Sequence, residues 1–382
     1  MSFDLYVALG GKGQSAVDAL VSGRYRGISI PDVAARIHLL AGIAAYKSRI
    51  KTYAVAGERG KGGYKSLVYP LSGKESEYVT NTIKPGSKLM DRLGLKKPIA
   101  PDMSRLPARS WFLQFSFTLA KPWISRDDDL FYVADSVNPV RKDKVFKVPF
   151  MSAVAWKGLL RWTAMRVDLV EEQDPGQFAL KRFYHALLFG NEKGEDFRRA
   201  SGTADYLNEI LPEARDLYTC LQRYYYHLDE TDPIPHHSGR LMFYPTFFNL
   251  IDLEVINPHD RKTKAGTHPI YLECVPAGAK GTFSLLYVPF DCSSQGEEKT
   301  LRQAAIALPL VAKAIIKMML VYGFSAKRSS GYGLAEEKVN RGILQVHLGG
   351  SQRFECRISS FDGLCKKAEE AAKALLETGG GT

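Results

Sequence analysis

Apolar and polar side chains partially alternate over Trp111-Phe112-Leu113-Gln114-Phe115-Ser116-Phe117-Thr118-Leu119, which predicts a β-strand. Upstream, Val33, Ile37, Leu40 and Ala44 recur at helical spacing behind Pro31-Asp32, predicting a helix that runs through Tyr46. Pro149 to Trp162 reads as an extended entry into a helix that begins near Ala153. Arg240 to Ile256, rich in aromatic and β-branched residues, predicts a strand, with Gly281 to Pro289 as its partner. Glu297 to Val321 predicts a helix interrupted at Pro309. Tyr332 to Gln345 is the last strand region, and Leu364 to Leu376 is a terminal helix ahead of a glycine tail.

Strand, helix, strand, strand, helix, strand is the ferredoxin-like order, which also serves as the scaffold of a common single-strand RNA module. The expected class is therefore α+β: a ferredoxin-like (RRM-like) βαββαβ core with insertions and a mostly helical N-terminal extension. Pro85, Pro98 and Pro101 mark a boundary. The expected divisions are an accessory region at 1–105, a core domain at 106–345 with an insertion at 171–235, and a C-terminal extension with a helix at 346–382. The insertion carries the aromatic run Tyr224-Tyr225-Tyr226.

Charge narrows the choice of partner. The 382 residues carry a formal net charge of +11 and a pI near 9.2, which favours a polyanion over an acidic protein. No polybasic amphipathic helix stands out to suggest a membrane surface. The most apolar run, Ala304 to Val321, is broken by Pro309, Lys313 and Lys317 and reads as a core helix. Phe3 to Leu9 is too short for a secretory signal and includes Asp4. Five cysteines without a C-x-x-C argue against a disulfide framework or a zinc ribbon, and a cytoplasmic location is expected.

Two stretches concentrate phosphate-binding chemistry. In Gly323-Phe324-Ser325-Ala326-Lys327-Arg328-Ser329-Ser330-Gly331-Tyr332-Gly333, glycines allow a close approach, Lys327 and Arg328 bring positive charge, and Ser329 brings a hydroxyl. The amides of Gly331 and Gly333 could complete a concavity for phosphate oxygens, and Tyr332 could stack on a base or pack in the core. The same residues are equally a surface turn with solvated charges. Lys157 and Arg161 stand four apart on one face of the helix that begins near Ala153. Gly57 to Lys65 interleaves glycine, cations and a tyrosine, in a pattern that suits either contact with a nucleic-acid backbone or a solvated loop. Between the first strand and the first core helix lie Asp127, Asp128, Asp129, Asp135 and Asp143. Carboxylates in a basic chain are useful near phosphates when they hold a divalent ion or take a proton. His236, His237, His259 and His268 fall in one region without zinc-ligand spacing, and Asn257-Pro258-His259 reads as a turn.

These motifs resemble the RAMP superfamily of CRISPR-associated proteins. Trp156-Lys157-Gly158-Leu159-Leu160-Arg161 is similar to the family's S-x-K-G-x-x-R signature, and Ser325 to Gly333 is similar to its C-terminal glycine-rich loop. Leu187-Leu188-Phe189-Gly190 resembles its F-G element. Asn257-Pro258-His259, Pro269 and Gly281-Thr282-Phe283 resemble the P-H … P … G-T-x-F pattern of type III, Cmr-like subunits. The match spans about 110–345. Trp156 departs from the Ser or Ile of many relatives, which predicts different packing at the helix start. The resemblance implies a subunit of a type III effector complex, with guide RNA, target RNA and other effector subunits as partners. It implies guide contacts from Lys157, Arg161, Lys327, Arg328, Ser329, Gly331, Tyr332 and Gly333. Some members of the family also cut the target with an aspartate in this loop; on that second reading Asp135 is the best placed, Asp127 to Asp129 are weaker, and Mg²⁺ is the expected cofactor of such a cut. The alternatives are a guide-processing endoribonuclease using His259 and a purely architectural capping subunit.

Overall fold

The structure is a computed structural model that describes residues 13–25, 28–46, 54, 63–69, 75–126, 138–192, 201–258, 266, 270–291 and 296–379. The N-terminal elements are α1 (Gly13–Val21), β1 (Arg24–Tyr25), β2 (Ile28–Ser29), α2 (Val33–Tyr46) and α3 (Tyr64–Val68). A π-helical turn, Val79–Ile83, then leads into α4 (Lys84–Arg92). Next come β3 (Trp111–Leu119), β4 (Phe150–Met151), α5 (Ala153–Asp168), α6 (Pro175–Phe189), α7 (Gly202–Ile210) and α8 (Ala214–Tyr226). The chain continues with β5 (Leu241–Phe243), β6 (Thr246–Phe247), β7 (Asp252–Ile256), β8 (Ile270–Cys274), β9 (Lys280–Tyr287) and α9 (Glu297–Lys317). It closes with β10 (Ala335–Gly349), β11 (Gln352–Ser360) and α10 (Phe361–Gly379).

The main sheet has the order β11-β10-β3-β9-β5, and every neighbouring pair is antiparallel. Set β11 aside, and the four remaining strands lie in the order fourth, first, third, second. That is the ferredoxin-like βαββαβ arrangement, with α5 and α9 as crossovers, so the α+β expectation holds.

The alternation in β3 decides which face is which. Trp111, Leu113, Phe115, Phe117 and Leu119 are buried in the large core, where Phe117 meets Trp156 of α5 and Phe115 meets Phe361 of α10. Gln114, Ser116 and Thr118 point to the other face. One end of that face is covered: the Gln114 side-chain amide donates to Pro98 O at 2.9 Å, and Met103 packs with Phe112, Leu286 and Val288. Leu20, Ile37, Leu40, Tyr64, Tyr78 and Ile83 of the N-terminal region belong to the same continuous core as β3. The helices α6 to α8 form a second core around Phe178, Phe183 and Tyr218, in which the buried Arg182 makes paired hydrogen bonds of 2.8 and 2.7 Å to Glu192.

Two segments differ from expectation. Arg240 to Ile256 is three short strands in three different pairings, because Pro245 and the turn around Asn249 break the ladder and β7 leaves to form a hairpin with β8. The last core strand runs on to Gly349 and turns directly into β11, which adds a fifth strand. The helical stretch Glu298–Tyr322 is long and apolar enough to cross a membrane by length and composition. Its Ala304, Leu308, Val311, Ile315 and Met319 are buried in the core.

Candidate functional site

Ser152 caps α5, its hydroxyl accepting the Ala155 N–H at 3.2 Å, which starts the helix at the foot of the sheet. One turn later Trp156 is fully buried between Phe283 of β9 and Phe324 of the glycine-rich loop, at ring distances of 5.0 and 5.1 Å. Its indole N–H donates to Thr246 Oγ1 at 3.0 Å. The tryptophan therefore joins helix, sheet and loop. Lys157, beside it, is half-buried. Burial holds its ammonium below the usual lysine range, and the Arg161 guanidinium one turn on adds to that depression. Arg161 Nη2 donates to Gly190 O at 2.9 Å and Asn191 O at 2.8 Å, so the arginine of the first motif grips the glycine turn after Phe189. Gly190 has φ 84°, and a Cβ there would lie 2.8 Å from His237 O.

The glycine-rich loop is bound tightly at its base and open at its tip. Trp123 Nε1 donates to Phe324 O at 3.0 Å, and Ser325 Oγ both accepts from Ile124 N at 2.7 Å and donates to Ile124 O at 2.9 Å. Phe324 N donates to Gly333 O at 2.9 Å and closes the loop on itself. At the tip Lys327 and Ser329 are exposed, and Lys327 adopts φ 56°. Arg328 turns back and stacks its guanidinium 4.3 Å over the Trp162 ring, which brings the loop onto α5 next to Arg161. Arg328 Nη1 is buried without a hydrogen-bond partner. Among the described residues no carboxylate forms an ion pair with Lys157, Lys327 or Arg328.

The expected phosphate-facing amides need correction. Gly333 N donates to Pro122 O at 2.7 Å and Gly331 N to Arg328 O at 2.9 Å, so both are spent inside the protein. The glycines serve the fold, since a Cβ on Gly333 would sit 2.4 Å from Ser325 Cβ. Of the two expectations for Tyr332, the structure shows packing: the ring lies against Ile124, Leu272 and Cys274, and its hydroxyl donates to Glu254 at 3.0 Å. Burial, then that hydrogen bond, pushes its pKa up to about 12.

Asp127, Asp128, Asp129, Asp135, His259, His268 and the glycine-rich stretch 57–62 lie outside the described residues. Asp143 is described and is a turn residue, its Oδ1 accepting from Val145 N at 2.9 Å and Phe146 N at 2.7 Å. His236 is exposed, and His237 sits against Tyr226 with Nε2 buried and unpartnered. Among the described residues no group of three or more His, Cys, Asp or Glu is placed to hold a metal.

A second set of cations was missed in the sequence. A groove of about 640 Å³ opens on the sheet face away from the helices, with Lys96, Lys97, Lys280 and Arg341 on its walls. These come from three separate places in the chain and form no single local motif.

No family model and no curated protein matches the chain. Among solved structures it is similar to a chain of the cryo-EM structure of the Type III-B Cmr-beta complex bound to cognate target RNA. The TM-score is 0.39 at 12% identity, over 82% of this chain and 92% of that one. An overlap this slight defines no family.

Proposed function

We propose that this chain is an RNA-binding subunit of a type III CRISPR effector assembly, holding guide RNA by its phosphates alongside other effector subunits in antiviral defence. One observation carries the reading: the loop bearing Lys327 and Arg328 is fastened onto the helix bearing Lys157 by the Arg328–Trp162 stack, and no carboxylate pairs with these cations among the described residues. The partly desolvated Lys157 and Arg328 and the exposed Lys327, without a paired carboxylate among the described residues, favour an arriving anion. Arg161 supports the site from behind, by locking the helix to the turn at Gly190. The four motif groups that resemble the RAMP superfamily support naming that anion as guide RNA. The test is to isolate the tagged chain from its own cells and sequence the RNA that comes with it. Short RNAs carrying CRISPR repeat sequence, together with co-purifying effector subunits, are the expected result. A preparation free of repeat-derived RNA would overturn the proposal.

A further inference from the structure

The groove on the sheet face lies apart from the loop site and has its own chemistry. Lys96 and Lys97 approach from the segment after α4, Lys280 from the start of β9, and Arg341 from β10. Asp91 is the one carboxylate on its wall. Among the described residues none of the four cations is in an ion pair.

The backbone is bent to place one of them. Asn340 pairs with Ser116 and Ile343 with Gln114, so β10 holds one more residue than β3 across that step, a β-bulge. Arg341 sits in the bulge at φ 50°, a conformation that non-glycine residues adopt infrequently. Gly342 follows, where a Cβ would meet Ile358 O at 2.4 Å. An unfavourable backbone held at a groove is a mark of use.

The floor is polar. Ser116 Oγ and Thr282 Oγ1 lie 3.0 Å apart and share one proton between them, which leaves the other hydroxyl proton to donate outward. Asn249 accepts the Lys280 N–H through its side-chain oxygen at 2.7 Å, so its NH₂ remains as a donor. Across the strands the row continues from Ser284 through Gln114 and Ile343 to Arg357, exposed on β11.

We infer that this groove binds the ribose-phosphate backbone of single-stranded RNA without reading its bases. Cations spread across strands suit successive phosphates, and the floor donors suit phosphate and 2′-hydroxyl oxygens. The sheet centre offers no aromatic platform for bases: its positions are Ser116, Thr118 and Thr282, Phe112 is covered by Met103, Phe117 is buried, and Phe247 on the groove wall is already stacked on Phe150. An acidic peptide is the weaker fit: peptides dock by strand addition at a sheet edge or by apolar anchors, and this groove offers a sheet centre with hydroxyls.

The experiment compares the full chain with Lys280→Gln/Arg341→Asn and, in parallel, with Lys327→Gln/Arg328→Gln. Asparagine tolerates the left-handed backbone at position 341. Oligouridylate, oligoadenylate and polyglutamate are titrated over a salt series, with thermal melting to confirm folding. The groove variant should bind both RNAs at least tenfold more weakly and show a log–log salt slope shallower by about 1.4, two phosphate contacts' worth on a single strand. The loop variant should keep its photocrosslinks from thiouridine-labelled RNA to the Lys96 and Lys280 peptides. Unchanged RNA affinity in the groove variant, a preference between the two RNAs that the groove variant erases, or loss of polyglutamate binding alone would each overturn the inference. Unchanged RNA affinity and salt slope in the loop variant, with the groove variant weakened, would instead count against the guide-holding proposal.

Discussion

Replacing Lys327 and Arg328 by glutamine tests the loop site without introducing acids. Each cation that neutralises a phosphate on a single strand adds about 0.7 to the magnitude of the log–log salt slope, so removing two should make the slope shallower by about 1.4. Over a rise from about 50 to about 200 mM salt, the unmodified chain should then lose roughly sevenfold more affinity than the variant. The fold should tolerate the change, because Lys327 is exposed and Ser325, Phe324 and Gly333 anchor the loop without it. The Arg328–Trp162 stack is worth about 0.5–2 kcal/mol, which sets the largest loss of stability expected. Fluorescence anisotropy with a short single-stranded RNA at several salt concentrations measures the slope. Parallel slopes for the two proteins would show that these side chains meet no phosphate, and the loop would then be only a structural turn.

Gly333→Ala places a methyl group 2.4 Å from Ser325 Cβ at φ 70°, so it should cost at least about 2 kcal/mol in urea unfolding and weaken RNA binding only through the loop it displaces. Lys142→Met should cost about 3–5 kcal/mol, because it removes the ammonium paired with the fully buried Glu273 carboxylate, which also accepts the Val140 N–H at 2.9 Å. Adding Glu273→Gln, which keeps the acceptor and removes the charge, should recover part of that loss. Asp168 offers a test in pH. Burial alone would raise its pKa, but the His185 hydrogen bond and charge, with Lys181 and Lys313, hold it below the ordinary carboxylate value. A carboxyl depressed on folding stabilises above its unfolded pKa, and the gain is lost as pH falls through the folded one. Asp168→Asn should therefore lower urea stability at neutral pH and converge with the unmodified chain as pH falls through the folded-state pKa, below the ordinary carboxylate value.

The parts of this fold that the sequence reveals are those where one face is wet and the other dry. In β3 the alternation of Phe115 and Phe117 with Ser116 and Thr118 follows from a sheet with helices on one side only. The start of α5 is written in Ser152 followed by an apolar stripe. β11 escaped because it is an edge: Arg353, Glu355 and Arg357 are exposed, and of the alternate positions Phe354 and Cys356 are only partly buried, so no apolar period shows. The split of 240–256 was hidden because its residues favour strands without saying which partner each piece takes. Lys157, Lys327 and Arg328 were visible in local motifs. The roles of Gly331 and Gly333 were misread, since a glycine kept for a tight turn and one kept for a ligand look alike until their amides are traced. The sheet-face groove was invisible because the segment at Lys96 and Lys97, β3, β9 and β10, far apart in the chain, create it together.

β11 also bears on how copies or relatives of this chain can join. It ends the sheet with charged side chains on an otherwise open border, a device that discourages a neighbour's strand from pairing there. On the reading proposed above, subunits would join at that border through loops and helices, and each would keep its own finite sheet. In a row of such subunits a threaded RNA would cross a series of separate platforms, with a seam at every junction where the strand leaves one protein surface for the next.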